Sequence, residues 1–230
     1  MWKKGNETQT SDDTQQLIQS AGLTTDRIQA LGDSIFAFAM TLLVLNFRLP
    51  TVAEPLATAG HVLFGLIPQF IIYVLSFIGL GVLWVAHHNQ YNWIQRSNRT
   101  FLWINIFFFM FIVLVPFFTD LLATYPADIL AVIFYGLNLV VCTSILYLHW
   151  WYATNKQTLV VTNATEAIIF RFKSRMSFSI GSDLLALIVS FLSIRTGVFM
   201  LILTQILSIV PSVVIDKLII ARHSFRKENA

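Results

Sequence analysis

Two ionisable residues close to the start of an apolar run are the first candidates for chemistry in this sequence. Arg27 and Asp33 open the stretch RIQALGDSIFAFAMTLLVL, and charged side chains in a membrane helix are costly unless they are paired or hydrated. The two residues are six positions apart, so they do not face each other as an i, i+4 pair would. Each needs a partner on another helix, unless the arginine snorkels to water and the carboxylate only favours the helix dipole.

A second group of polar and aromatic residues is the segment WVAHHNQYNWIQ, residues 84–95. The two adjacent histidines point in different directions on a helix, and neither a carboxylate nor a cysteine lies at ligand spacing, so we predict no protein-bound metal. A single structural histidine is the preferred interpretation. We predict a buried polar network at the inner ends of the first three helices, formed by Arg27, Asp33, Trp84, His87 and Asn105.

An apolar stripe follows Asp33 along the same predicted helix. Phe38, Leu42 and Leu45 recur at i, i+4 and i+7, and Thr41 lies beside them on the same face. Such a stripe usually faces lipid or packs on another helix, and a pore lining is the alternative. The spacing alone leaves both open.

The composition places these residues in a membrane protein. Hydrophobic residues make up 56% of the 230 residues and charged residues 12%, and the mean hydropathy is +0.70, outside the range of soluble domains. The net charge of +3 does not indicate nucleic-acid binding, because Lys and Arg lie in the connections between apolar runs. The single cysteine, Cys142, lies inside an apolar run and is interpreted as a small packing residue.

The chain contains several apolar runs long enough to span a bilayer as helices, which predicts an all-α membrane protein. Six spans are predicted, at about residues 28–47, 62–86, 101–122, 128–152, 178–194 and 197–220. Pro68 is expected to kink the second span. Residues 1–25 are predicted to be a disordered cytoplasmic tail, residues 26–222 the transmembrane domain and residues 223–230 a second cytoplasmic tail.

The distribution of basic residues predicts the orientation. Of the 15 Lys and Arg residues, only Arg48 and Arg195 fall in outer connections when the N-terminus is cytoplasmic. Positive residues are held back in cytoplasmic loops, so both termini are expected in the cytoplasm, with the protein in the plasma membrane.

The residues together resemble the transmembrane protein 175 family of potassium channels, in its bacterial single-repeat form. That family opens its first helix with Arg, three residues and Phe-Ser-Asp. Here Arg27 and Asp33 match, while Leu31 replaces Phe and Gly32 replaces Ser. The likeness continues over the second and third spans, in Trp84, His87, Tyr91, Asn98 (where the family commonly has Asp), Asn105 and Pro116.

The resemblance implies a potassium-selective channel in which the first helix of each subunit lines a central pore. The TVGYG loop of other potassium channels is absent. By position, the constriction residues would be Phe38, Leu42 and Leu45, with Thr41 adding a hydroxyl; the family usually has Ile or Leu at the position of Phe38. The resemblance also implies a homotetramer embedded in lipid, with potassium as the permeant ion and no cofactor.

The sequence fits two other function classes less well. A secondary ion transporter is disfavoured because we find neither an inverted repeat nor a pair of broken helices at matching places. An intramembrane enzyme is disfavoured because the zinc-protease and serine-hydrolase motifs are missing and no span holds paired carboxylates. Asp183 is the one loose intramembrane carboxylate, expected to bind a neighbouring helix or a Lys or Arg.

Overall fold

A computed structural model describes residues 25–47, 59–155, 159–160, 165–201 and 203–205. The protein is all-helical there, apart from one isolated bridge between Ile94 and Val160. The helices are α1 (Thr25–Leu42, continued by a 3-10 turn, Leu43–Asn46), α2 (Ala59–Gly65), α3 (Ile67–Tyr91), α4 (Arg99–Thr124), α5 (Ile129–Asn155), α6 (Glu166–Leu192) and α7 (Ile194–Gln205).

Five of these helices are long and apolar enough to cross a membrane: α1 with its 3-10 turn, α3, α4, α5 and α6. The predicted sixth span, residues 197–220, is described only in its first part, as α7. The predicted tails, residues 1–25 and 223–230, fall outside the described residues, with the exception of Thr25.

The second predicted span is divided and longer at its inner end than expected. The chain breaks between α2 and α3 at Leu66, and Pro68 lies in the first turn of α3, where the missing N–H of proline costs no helical hydrogen bond. The prediction ended this span at Ala86, but α3 continues to Tyr91. The extra turn forms because the polar side chains of His87, Gln90 and Tyr91 all turn inward and are buried.

The predicted start of the fifth span, near Phe178, is also wrong. Helix α6 begins at Glu166, twelve residues earlier, so the basic segment that was interpreted as a connection is helical. Ile169 and Phe172 pack on α5 from this segment, and the Phe172 ring lies 4.7 Å from that of Trp150. Hydropathy alone missed these turns because Arg171 and Lys173 lie among the apolar residues and lower the mean hydropathy, although they are good helix formers.

Two asparagines anchor α4 at its two ends. Asn98 is its N-cap, since Asn98 Oδ1 accepts from the backbone N–H of Phe101 at 2.9 Å, a bond that an Asp at this position could also make. Near the other end, Asn46 Nδ2 donates to the carbonyl of Pro116 at 2.8 Å. The end of α1 is thereby tied to the proline-containing part of α4.

The helices differ in how far they are covered by their own chain. Helix α5 packs most extensively, against both α4 and α6, and 56% of its most apolar window is buried, compared with 28% for α1. Gly136 permits the close approach of α5 and α6, because a Cβ there would lie 2.5 Å from Leu187 Cδ2. Helix α1 packs on α3 and α4 through one side only.

Candidate functional site

The predicted stripe on α1 lies on the uncovered side of the helix. Phe38 and Leu45 are 60% and 73% exposed, Thr41 is exposed and Leu42 half-buried. The Thr41 hydroxyl donates to the carbonyl of Phe38 at 2.8 Å, which leaves the lone pairs of its oxygen available as acceptors. We call Phe38, Thr41, Leu42 and Leu45 the α1 stripe.

The opposite face of α1 is packed. Its buried residues recur every three or four positions, as one helical face does: Ile28, Gly32, Phe36, Ala39 and Leu43. Gly32 sets the approach to the neighbouring helices, because a Cβ there would lie 2.9 Å from Phe109 Cζ and 3.2 Å from His87 Cε1. The contact explains why a small residue occupies this position of the motif.

Asp33 and Trp84 form the first polar contact between helices. Trp84 Nε1 donates to Asp33 Oδ1 at 2.8 Å, and the Trp84 ring stacks on that of His88 with the centroids 5.5 Å apart. Asp33 itself is exposed and Trp84 half-buried. The hydrogen-bond partner of Asp33 therefore lies on α3 and not on its own helix.

His87 and Asn105 form the second contact, and its polarity can be assigned. Asn105 Nδ2 donates to the carbonyl of Phe101 at 2.8 Å, so its Oδ1 is the acceptor for both the Tyr91 hydroxyl at 3.0 Å and His87 Nε2 at 3.2 Å. An amide oxygen cannot donate, so His87 carries a hydrogen on Nε2. This group of His87, Tyr91 and Asn105 is called the His87 cluster.

Aromatic rings fix the orientation of His87. The Phe108 ring stacks on it with a 5.3 Å centroid separation and an angle of 15°, and Phe109 meets it edge-on at 5.5 Å. His87 is 3% exposed and Asn105 1% exposed. The cluster joins α3 to α4 directly beneath Gly32 of α1.

Gln90 and His149 extend this polar region to α5, and neither residue was predicted from the sequence. Gln90 Nε2 donates to the Leu146 carbonyl at 3.2 Å, so Gln90 Oε1 accepts from His149 Nδ1. The other ring nitrogen of His149 is buried without a partner among the described residues. Their polar side chains inside apolar runs could have indicated buried hydrogen bonds. The sequence does not show that the two residues contact each other, because they lie on helices far apart in the chain.

Arg27 is the one predicted network residue that the structure leaves out. It is exposed and makes no hydrogen bond or ion pair within the described part of the chain. Arg27 points toward the uncovered side of α1. It comes one residue before the buried Ile28, and consecutive side chains on a helix are about 100° apart around the axis. Instead of one network of five residues, the structure has an Asp33 to Trp84 pair and a separate His87 cluster.

The described ranges also contain no group of three His, Cys, Asp or Glu residues placed to hold a metal ion.

Known proteins resemble the chain most consistently over its first three long helices. A family described as the endosomal/lysosomal potassium channel TMEM175 matches residues 27–116. This range begins at Arg27 and ends at Pro116, and it includes the α1 stripe, the Asp33 to Trp84 pair and the His87 cluster.

Relatives extend the match beyond that range. A potassium channel of Chamaesiphon minutus is 31% identical over 180 residues, covering 76% of this chain and 88% of the relative. A potassium channel of Streptomyces collinus is 32% identical over 132 residues, covering 56% of this chain and 64% of the relative. The human endosomal/lysosomal proton channel TMEM175 is 26% identical over 139 residues, which is 28% of its length.

A solved structure is similar to the whole helical arrangement. The crystal structure of a lysosomal potassium-selective channel TMEM175 homolog from Chamaesiphon minutus superposes with a TM-score of 0.72 and 27% sequence identity. The match covers 82% of this chain and 97% of that one.

Proposed function

This chain belongs to the TMEM175 family of channels, and on that premise we propose that it is a passive potassium-selective channel that works as a homotetramer. It is a multi-pass membrane protein of a family whose bacterial relatives are named potassium channels. Potassium selectivity, the tetramer and the identity of the pore residues are the new parts of the proposal.

The exposed α1 stripe is the observation that carries the proposal. Phe38, Thr41 and Leu45 lie uncovered on α1, whereas the other face of the same helix is packed against α3 and α4. One helix cannot enclose an ion path, so several copies of the stripe must face one another around a closed rotational axis. Four copies agree with the resemblance to bacterial members of the family.

The chemistry of the stripe supports a hydrophobic constriction. Rings of Phe38, Leu42 and Leu45 would present few hydrogen-bond partners to an ion, and apolar constrictions hold ions back because the path dewets. Thr41 would add a ring of hydroxyl oxygens between them. Selectivity would then follow from the pore width and the free-energy cost of removing water from each ion.

The polar contacts beside the stripe have a different role in the proposal. Asp33, Trp84, His87 and Asn105 would act as a scaffold that fixes α1 against α3 and α4, and Arg27 would join the assembly through contacts between subunits. We place the protein in the plasma membrane with both termini in the cytoplasm, because the basic residues favour that side.

Two measurements on purified protein test the proposal. In mild detergent, the mass of the particle should equal four chains, and a monomer that still conducts would contradict the assembly. In liposomes with a potassium gradient, flux should run down the gradient without saturating and should exceed the flux under a matched sodium gradient. Saturating flux coupled to a second ion would instead indicate a secondary transporter.

A further inference from the structure

A buried carboxylate, Asp183, lies in the part of the subunit that is remote from the α1 stripe. It is 0% exposed and sits on α6, about 13 Å along the axis from the end of that helix at 1.5 Å per residue. In the described part of the chain, α6 packs on α5 and does not pack on α1. Asp183 is therefore deep in the helical bundle and outside the proposed ion path.

The carboxylate of Asp183 is only half satisfied. Thr204 Oγ1, on α7, donates to Asp183 Oδ1 at 2.6 Å, and the same hydroxyl lies 2.9 Å from the carbonyl of Leu201. Asp183 Oδ2 is buried and has no hydrogen-bond partner among the described residues. Buried polar atoms without a partner are rare in native proteins, and a water or an ion bound to the free oxygen is one explanation for them.

Hydroxyl groups of three other helices form a hydrogen-bonded chain in the same part of the bundle. Tyr135 of α5 lies within electrostatic range of Asp183, and the Tyr135 hydroxyl is 3.2 Å from that of Ser76 on α3. Thr119 of α4 donates to the same Ser76 hydroxyl at 3.0 Å. The hydroxyls of Ser76, Thr119 and Tyr135 thus form a chain across α3, α4 and α5, and its Tyr135 end is within electrostatic range of Asp183.

No positive charge in the described ranges forms an ion pair with Asp183. The nearest basic residue on its own helix is Arg175, about 12 Å away along the axis. On α7, Arg195 lies nine residues before Thr204. An ionised carboxylate without a counter-charge is strongly disfavoured in a low-dielectric interior, and a cation from solution would remove that cost.

We propose that Asp183 binds a monovalent cation from solution, either a proton or an alkali metal ion, inside the bundle of each subunit and apart from the α1 stripe. Oδ2 is the open ligand, and Thr204 orients the other carboxylate oxygen. When the cation is bound, it removes the cost of the buried charge and stabilises the contact between α6 and α7. The site requires no flux through the protein and does not depend on the proposed function.

Thermal unfolding of the full-length protein in detergent tests this site in two arms. In the first arm, potassium or sodium replaces a large organic cation at constant pH and ionic strength. In the second arm, pH varies at constant potassium. We expect the wild-type unfolding midpoint to rise with the bound cation in at least one arm, and the arm that responds identifies the alkali ion or the proton.

Asp183→Asn is the informative variant, because it is neutral, has almost the same shape and keeps an acceptor for Thr204. Its midpoint should be independent of the cation that stabilises the wild type. Glu166→Gln is the matched control, since it removes an exposed carboxylate from the start of the same helix and should retain the full response. Titrating groups outside the electrostatic range of Asp183 affect both proteins equally and cancel in the comparison.

An identical response of wild type and Asp183→Asn in both arms would overturn the inference, and would mean that a fixed group of the chain neutralises the carboxylate. If Asp183→Asn does not fold, Thr204→Val removes the orienting hydroxyl with little change in volume. It should raise the cation concentration of half-maximal response several-fold, and an unchanged concentration would also overturn the inference.

Discussion

The two sides of α1 have similar residues but different surroundings. Phe36 and Phe38 are two positions apart, yet Phe36 is 1% exposed and Phe38 60% exposed. The packed side meets the His87 cluster and the rings of α4, whereas the α1 stripe is largely uncovered by the described part of the chain. In a membrane, apolar character does not separate these sides, because lipid is as apolar as a helix interior; only the packing within the chain does.

This difference separates stability from conduction. Changes on the packed side should reduce folding and assembly of the protein. Changes on the α1 stripe should leave the subunit folded and alter the passage of ions. The variants below are chosen to test whether the separation holds.

Phe36→Ala should have the largest effect on stability. Removing this fully buried phenyl ring leaves a cavity between α1 and α4, where the ring centroids of Phe36 and Phe108 lie 5.9 Å apart. Such substitutions lower the free energy of unfolding by about 3–5 kcal/mol. We expect a large loss of folded protein, measured as the yield of the monodisperse peak in size-exclusion chromatography. A normal yield would mean that the packed side of α1 is not needed for the fold.

Asn105→Leu should have the next largest effect. It removes the acceptor shared by His87 and Tyr91 while keeping a similar volume, and a buried donor left without a partner costs about 1–3 kcal/mol. The unfolding midpoint should fall clearly. Ile106→Ala, at an exposed neighbouring position of α4, is the control and should change it little.

Trp84→Phe should have a small effect, because it removes one hydrogen bond to an exposed carboxylate. Interhelical hydrogen bonds in membranes contribute about 0.6 kcal/mol on average. We expect a slightly lower unfolding midpoint and an unchanged ratio of potassium to sodium permeability. A changed ratio with a normal midpoint would place Asp33 and Trp84 in the ion path and contradict their role as scaffold.

The sequence predicted the membrane class and the approximate positions of the first four spans. The lengths of the apolar runs and the polar stretches between them carried these predictions. The family resemblance, which rests on residues from Arg27 to Pro116, was confirmed by the comparisons.

The sequence did not predict contacts that depend on three-dimensional packing. The bond between Gln90 and His149 joins residues 59 positions apart, and Asp183 binds Thr204, a residue of the next helix that no local pattern distinguishes. Likewise, the direction of Arg27 depends on which face of α1 is packed. The length of α6 was underestimated because basic residues among the apolar ones lower the mean hydropathy without preventing a helix.

The central claim is that the α1 stripe forms the selective constriction, and the permeability ratio of Phe38→Ala tests it most directly. Potassium and sodium permeabilities should be measured under bi-ionic gradients in liposomes, for wild type and for Phe38→Ala, after both have passed the same assembly check. We predict that Phe38→Ala assembles normally, conducts more and discriminates less between the two ions, because a smaller side chain widens and wets the constriction. A normally assembled Phe38→Ala protein with the wild-type permeability ratio, followed by the same result for Leu42→Ala, would contradict the account and place the filter elsewhere.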